Sequence, residues 1–210
     1  METGTAGTSG SPAANTDGAD TFFSSNLLFK NWTVYNGDDS FSAKANSTNI
    51  TLLNSRFYHG LGIAIGSIGQ HNDQFETVEN IRAEDIYFED TLHAFYWKNQ
   101  TVNARGGLFT ISQCTRFSGA PRVGNCTNSN FQIRDVDIRC LRGTTNGRRV
   151  LSLQCSAVSP CTDIALSDVN VRYAGNSTVV PNYLCGNVVG NKGWDCTGPV
   201  CVGGSATGGC

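Results

Sequence analysis

The sequence predicts an all-β protein, a right-handed parallel β-helix, and three observations predict it. Short β-type runs recur, each opening on Asn or Asp followed by an apolar residue. The openings lie 23, 31, 50 and 33 residues apart, a repeat of the size that stacked short-strand units produce. The chain holds 24 Gly and only 15% charged residues, which suits strands and tight turns better than helices.

In chain order the openings are Asn26-Leu27-Leu28-Phe29, Asn49-Ile50-Thr51-Leu52, Asn80-Ile81-Arg82-Ala83, Asn130-Phe131-Gln132-Ile133 and Asp163-Ile164-Ala165-Leu166. A second alternating run follows most of them, at Trp32-Thr33-Val34, Ile86-Tyr87-Phe88, Val136-Asp137-Ile138 and Val169-Asn170-Val171. The 50-residue gap has room for one extra coil around Gly107-Leu108-Phe109-Thr110-Ile111. Inward Ile, Val, Leu and Phe would form an apolar column, with strands stacked at ~4.8 Å. Asn at matching corners tolerates left-handed backbone and can form hydrogen-bonded ladders. An antiparallel β-sandwich explains strands and turns equally well, but not the recurring Asn-Ile opening.

The net charge of -2 argues against a nucleic-acid or anionic-membrane partner, and no apolar run approaches the ~20 residues of a membrane span. Nine cysteines lie between Cys114 and Cys210. Cys155 and Cys161, Cys185 and Cys196, and Cys114 and Cys126 each bracket a short loop, so local disulfides and an oxidising compartment are expected. There is no zinc spacing, and no metal or organic cofactor is implied. Asn-x-Ser/Thr sequons at Asn31, Asn46, Asn49, Asn99, Asn125 and Asn176 add to the picture of a secreted, extracellular glycoprotein. Met1-Glu2-Thr3-Gly4 opens no signal peptide, so the true N-terminus is expected elsewhere. The expected organisation is a Gly/Ser/Thr-rich leader over 1–14, a β-helix catalytic domain over 15–183 and a Cys/Gly-rich tail over 184–210.

In a wound chain, residues one repeat apart stack on one face. Asp17 in Asn15-Thr16-Asp17-Gly18-Ala19-Asp20 precedes Asp38 by 21 residues, near the 23-residue repeat, so Asp17 is expected beside the Asp38-Asp39 pair. Crowded carboxylates repel, so at least one pKa should rise. Glycoside hydrolysis needs one protonated carboxyl and others ionised. Asp beside Gly is also an ordinary turn former, and Asp20 reads as a turn cap before a fourth catalytic group. The glycines of Gly60-Leu61-Gly62-Ile63-Ala64-Ile65-Gly66-Ser67-Ile68-Gly69 are expected to let substrate approach the backbone.

Asn15-Thr16-Asp17, Gly37-Asp38-Asp39 and Gly66-Ser67-Ile68-Gly69, in that order and spacing, resemble glycoside hydrolase family 28, the pectin-cleaving polygalacturonases and rhamnogalacturonases. The resemblance runs from about Asn15 to about Tyr173. It implies a pectin-lyase-like parallel β-helix whose N-terminal coils are missing, since full-length members carry several more coils before the Asn-Thr-Asp motif, and an inverting, single-displacement hydrolase of pectic polysaccharide, monomeric when full length. Asp38 would be the general acid, and Asp17 and Asp39 would hold the attacking water, for which a carboxyl separation of ~6.5–9.5 Å leaves room.

The departures from the family pattern carry information too. Leu61 stands where the family has a histidine, and His59 lies two residues earlier. Tyr96-Trp97-Lys98 aligns with the family's Arg-Ile-Lys, so Lys98 is kept while Tyr96 replaces the arginine that binds a galacturonate carboxylate. Tyr96 and Trp97 offer aromatic faces to a neutral or deoxy sugar, and a guanidinium suits a carboxylate better than a phenol does. Ser40 and Phe57 replace a cysteine pair of endo-acting members. The stretch from Asp38 to Ile50, including Lys44 as a candidate floor of the sugar site, resembles exo-acting fungal members. Exo-action on rhamnogalacturonan is therefore expected, with exo-polygalacturonase as the alternative and a non-catalytic carbohydrate binder or inactive fragment as the rival of another class. His71 and His93 read as surface or structural.

Overall fold

A computed structural model describes residues 13–69, 74–94, 100–113, 130–198 and 200, with backbone alone at 100–103 and 112. Among them there is no helix. The strands are β1 (Asp20–Thr21), β2 (Ser25–Lys30), β3 (Thr33–Tyr35), β4 (Asp39–Ala43), β5 (Ser47–Tyr58), β6 (Gly62–Ile65), β7 (Val78–Thr91) and β8 (Gln100–Ala104), followed by β9 (Phe109–Ser112), β10 (Arg134–Arg139), β11 (Leu141–Thr145), β12 (Leu151–Gln154), β13 (Cys161–Ser167), β14 (Asn170–Tyr173), β15 (Tyr183–Gly186) and β16 (Val188–Val189). They form one seven-stranded sheet, β14-β11-β8-β7-β5 with β2 and β3 both on β5, and three three-stranded sheets, β1-β4-β6, β9-β12-β15 and β10-β13-β16. Every ladder between these strands is parallel. Parallel neighbours cannot be joined by a tight hairpin, so the chain must travel round before each strand meets the next.

The Asn openings become corners. Asn26, Asn49 and Asn80 have φ of 58°, 56° and 54°. Their amides form a ladder: Asn49 Nδ2 donates to Asn26 Oδ1 at 3.1 Å, and Asn80 Nδ2 to Asn49 Oδ1 at 3.0 Å. The residues that follow, Leu27, Ile50 and Ile81, align by register; Ile50 and Ile81 are buried, while Leu27, on the edge strand β2, is exposed. A second corner, which sequence reading did not single out, runs through Asn31, Asn54, Asp85, Cys140 and Asp168, all with positive φ. There Asn54 Nδ2 donates to Asn31 Oδ1 at 2.8 Å. Short polar side chains suit these corners because they tolerate left-handed backbone and satisfy one another.

One expected opening is corrected. Asn130 to Ile133 precede the strand, and the left-handed corner falls instead at Asp135 (φ 56°), whose successor Val136 pairs with Ile164. The 50-residue gap does hold added strands, β8 and β9.

The core lies between the sheets. Phe41, Phe57, Phe88, Ile50, Leu52, Ile86, Leu108, Leu151, Leu153 and Ile164 are fully buried. Val34, Phe57 and Phe88 stack in register across β3, β5 and β7. Disulfides join Cys155 to Cys161 and Cys185 to Cys196, as the loop spacing suggests. Cys140 is free. The expected Cys114–Cys126 bridge lies outside the described residues.

Candidate active site

Two segments meet at the first sheet. Gly18 N donates to Asp39 O at 2.8 Å, which sets the Asn15–Asp17 segment against the start of β4. Thr16 Oγ1 donates to Ala13 O at 2.6 Å and accepts from Gly37 N at 3.0 Å. Asn36 Nδ2 bridges Thr16 O at 3.1 Å and Asp38 O at 2.6 Å, and Asn36 Oδ1 accepts from the buried Ser40 Oγ at 3.0 Å. Ser40 and Phe57 are therefore both committed to the interior, one as a hydrogen-bond donor and the other as core. Small residues permit this closeness. A Cβ on Gly18 would run into Ser40 O and lie 2.9 Å from Val34 Cγ1.

The carboxylates gather as their spacing predicts. Asp38 accepts two backbone donors, Asn15 N on Oδ2 at 2.8 Å and Asp39 N on Oδ1 at 2.9 Å. Asp39 pairs with Gly62 of β6, so the glycine segment forms the next strand along. Burial, then the charges of Asp17 and Asp38, push the Asp39 carboxyl up to about 7. Burial likewise raises Asp17, followed by the charges of Asp20 and Asp38. Crowding thus does what like charges in a shared low-dielectric site must do: it keeps at least one proton in the cluster.

Two further groups complete it. Lys44 Nζ lies 2.6 Å from Asp20 Oδ2 and 3.8 Å from Asp17 Oδ2. Burial works against its charge, but the hydrogen bond and charge of Asp20, with Asp17 and Asp39, outweigh it and raise the Lys44 pKa. Lys44 is also the group that pulls the Asp17 and Asp39 carboxyls down. Asp20 therefore belongs to the cluster, where sequence reading left it as a cap. The available signal was its 24-residue separation from Lys44, close to one repeat. Lys44→Met is expected to move the titration of Asp39 and Asp17 to higher pH, read from carboxyl 13C shifts, with Lys44→Arg restoring most of it. Unmoved midpoints would show that Asp20 fully screens the lysine.

His59 is placed elsewhere in its bonding. Its Nδ1 sits 3.2 Å from Asp90 Oδ2, and its carbonyl accepts from Arg105 Nη2 at 2.7 Å. Its φ of 71° marks a corner beside Asp90. His93 is structural: Nδ1 lies 2.6 Å from Gly107 O, and burial lowers its pKa, outweighing that bond. The expectation that the 60–69 glycines open the backbone to substrate is corrected for two of them. A Cβ at Gly60 would meet Asp38 O at 2.4 Å and Asn36 Oδ1 at 2.5 Å, and one at Gly62 would meet His93 O at 2.5 Å. Those glycines admit neighbouring protein backbone. Tyr96, Trp97 and Lys98 lie outside the described residues, as does His71.

Parallel strands that bring four carboxylates and a lysine onto one edge define a candidate carbohydrate-cleaving site, because acid and base carboxyls in unlike surroundings are what acetal hydrolysis requires. The chain belongs to the glycosyl hydrolases of family 28, whose sequence model matches residues 4–113 and 121–192. It is 52% identical to an alpha-L-rhamnosidase, rgxB, of Aspergillus niger, over 96% of this chain and 53% of that protein. It is 32% identical to a probable exopolygalacturonase X of Aspergillus terreus, over 84% of this chain and 47% of that one. To a putative galacturan 1,4-alpha-galacturonidase A of Aspergillus flavus it is 31% identical, over 87% of this chain and 51% of that one. The chain thus spans about half the length of the curated relatives it matches.

Proposed function

We propose that this chain carries the catalytic centre of an inverting, exo-acting glycoside hydrolase that removes rhamnose from rhamnogalacturonan, working outside the cell. The observation that carries this reading is the meeting of Asp17 with Asp38-Asp39 across adjoining parallel strands, locked by Gly18 N to Asp39 O and Asn15 N to Asp38 Oδ2. The rhamnosidase likeness at 52% identity favours rhamnose, against 32% for the exopolygalacturonase. Tyr96 in place of a carboxylate-binding arginine favours the same sugar. A right-handed parallel β-helix is the winding that accounts for all-parallel ladders with Asn corners in register. Two disulfides support an oxidising, extracellular setting.

In the proposed mechanism Asp38 protonates the departing glycosidic oxygen. Asp17 and Asp39 hold a water on the opposite face of the sugar and take its proton. That water attacks the anomeric carbon, the C–O bond to the leaving sugar breaks, and configuration inverts in one step. The resting electrostatics oppose the base: burial and the charges of Asp17 and Asp38 keep a proton on Asp39 near neutrality, and Asp39 must give it up before it can accept the water's proton. The productive form is the fraction in which Asp39 is ionised. A bell-shaped pH profile would report constants of the cluster as a whole. Lys44 enlarges the productive fraction by favouring ionised Asp17 and Asp39.

The test is sugar release from defined pectic oligomers by this chain and by Asp38→Asn. Rhamnose release is expected from rhamnose-terminated oligomers, falling by roughly 10²–10⁴-fold in the variant while oligomer binding survives. Release of galacturonate alone would favour the exo-polygalacturonase reading. No release from any pectic substrate would end the hydrolase reading for this chain.

A further inference from the structure

Two phenylalanines sit outside the core immediately after the acidic strand. Phe22 is 60% and Phe23 68% exposed, and their rings meet edge to face with centroids 4.5 Å apart. Phe29 and Phe41, by contrast, pack against each other at 5.1 Å on the core side. The exposure is built in. Thr21 is buried, so alternation along β1 puts Asp20 and Phe22 on the outer face. Lys44 N donates to Thr21 O and Phe23 N to Ala45 O, both at 2.9 Å, so Phe22 lies beside Lys44 at the next strand. Ser24 Oγ donates to Phe22 O at 2.9 Å and fixes the bend beneath the rings. Phe23 holds φ at 48°. A bulky side chain in left-handed backbone is an outlier, and such outliers cluster at binding sites.

We propose that Phe22 and Phe23 form an aromatic subsite that receives the apolar edge of a terminal 6-deoxyhexose, the rhamnosyl end of a pectic chain. This rests on the hydrolase reading above and adds the residues that select the sugar. Aromatic faces bind the C–H face of a sugar ring, and a methyl at C6 extends that face. Charge excludes the competitor. Phe22 lies beside Lys44, which is already bound to Asp20 at 2.6 Å and lies 3.8 Å from Asp17. A uronate carboxylate placed there would meet an acidic cluster whose lysine is already paired; a neutral deoxy sugar meets no such cost. Continuity with the carboxylate cluster makes a sugar the occupant.

Binding is measured by calorimetry, with Asp38→Asn as the background so that substrate is not consumed. The probes are a rhamnose-terminated and a galacturonate-terminated oligomer of equal length. Phe22→Ala and Phe23→Ala are expected to weaken the rhamnose-terminated oligomer by roughly 3- to 15-fold, and the galacturonate-terminated one by less than about twofold. Phe22→Trp should retain affinity, and melting temperatures should stay near the parent's because both rings are exposed. With Asp38 intact, the same variants should raise KM and leave kcat nearly unchanged. The proposal is overturned if the double alanine variant binds within twofold of its parent, if both oligomers lose affinity equally, or if the parent binds neither. Hydrolysis that persists without any effect of Phe22→Ala removes this subsite alone. A ring-dependent affinity without hydrolysis removes the catalytic reading alone.

Discussion

Asp39→Asn is expected to lose most of its sugar release and yet to melt higher than the parent at neutral pH. Burial and the neighbouring Asp17 and Asp38 raise the folded-state pKa of Asp39 from 3.8 to about 7. The folded chain therefore holds a proton that the unfolded chain gives up near its lower, ordinary value. Between those two values the unfolded state binds fewer protons, so stability falls as pH rises, and the loss is complete above the folded pKa. The full amount is on the order of 2–4 kcal/mol, after allowance for residual solvent at the site. Asparagine keeps the shape, carries no charge and removes this slope. The variant's advantage in melting temperature should grow from near zero at pH 4 to roughly 5–10 °C at pH 7. Activity should fall by about 10³-fold, since the proposed acceptor of the water's proton is gone. Parallel pH-stability curves for parent and variant would show that Asp39 does not carry the cluster's proton.

The second large effect is on the core. Phe57→Ala is expected to cost about 3–5 kcal/mol. Phe57 is fully buried, aligned with Val34 and Phe88, and its ring lies 5.7 Å from that of Phe88. In urea the midpoint should fall with an unchanged slope. Leu28→Ala is the control. Leu28 is 62% exposed, so its loss should stay within about 0.5 kcal/mol. Equal losses in the two variants would contradict the placement of the core.

Much of this was legible because the decisive signals repeat. Asn26, Asn49 and Asn80 each precede an apolar residue in register with the others, and backbone strain makes Asn one of the few residues suited to that corner. Where Asp serves equally well the signal blurred. Asn130 looked like the next opening, and the corner went to Asp135. The second corner escaped because Cys140 and Asp168 share no residue type with Asn31 and Asn54, although all four have the same backbone. The carboxylates were found because Asp17 and Asp38 are nearly one repeat apart. Asp20 was read as a cap because a lone Asp near Gly usually is one. Its role came from Lys44, which sits at the next strand and binds it. Gly60 and Gly62 were read for substrate because a sequence cannot say what occupies the missing Cβ; here it is Asn36 and His93.

The measurement that tests the central claim most directly is the proton NMR spectrum of the first sugar released from an α-linked, rhamnose-terminated rhamnogalacturonan oligomer, recorded before the anomers equilibrate. The proposed carboxylate centre predicts β-rhamnose appearing first and the α-anomer only by later mutarotation. Initial release of the α-anomer would contradict direct attack by a carboxylate-held water.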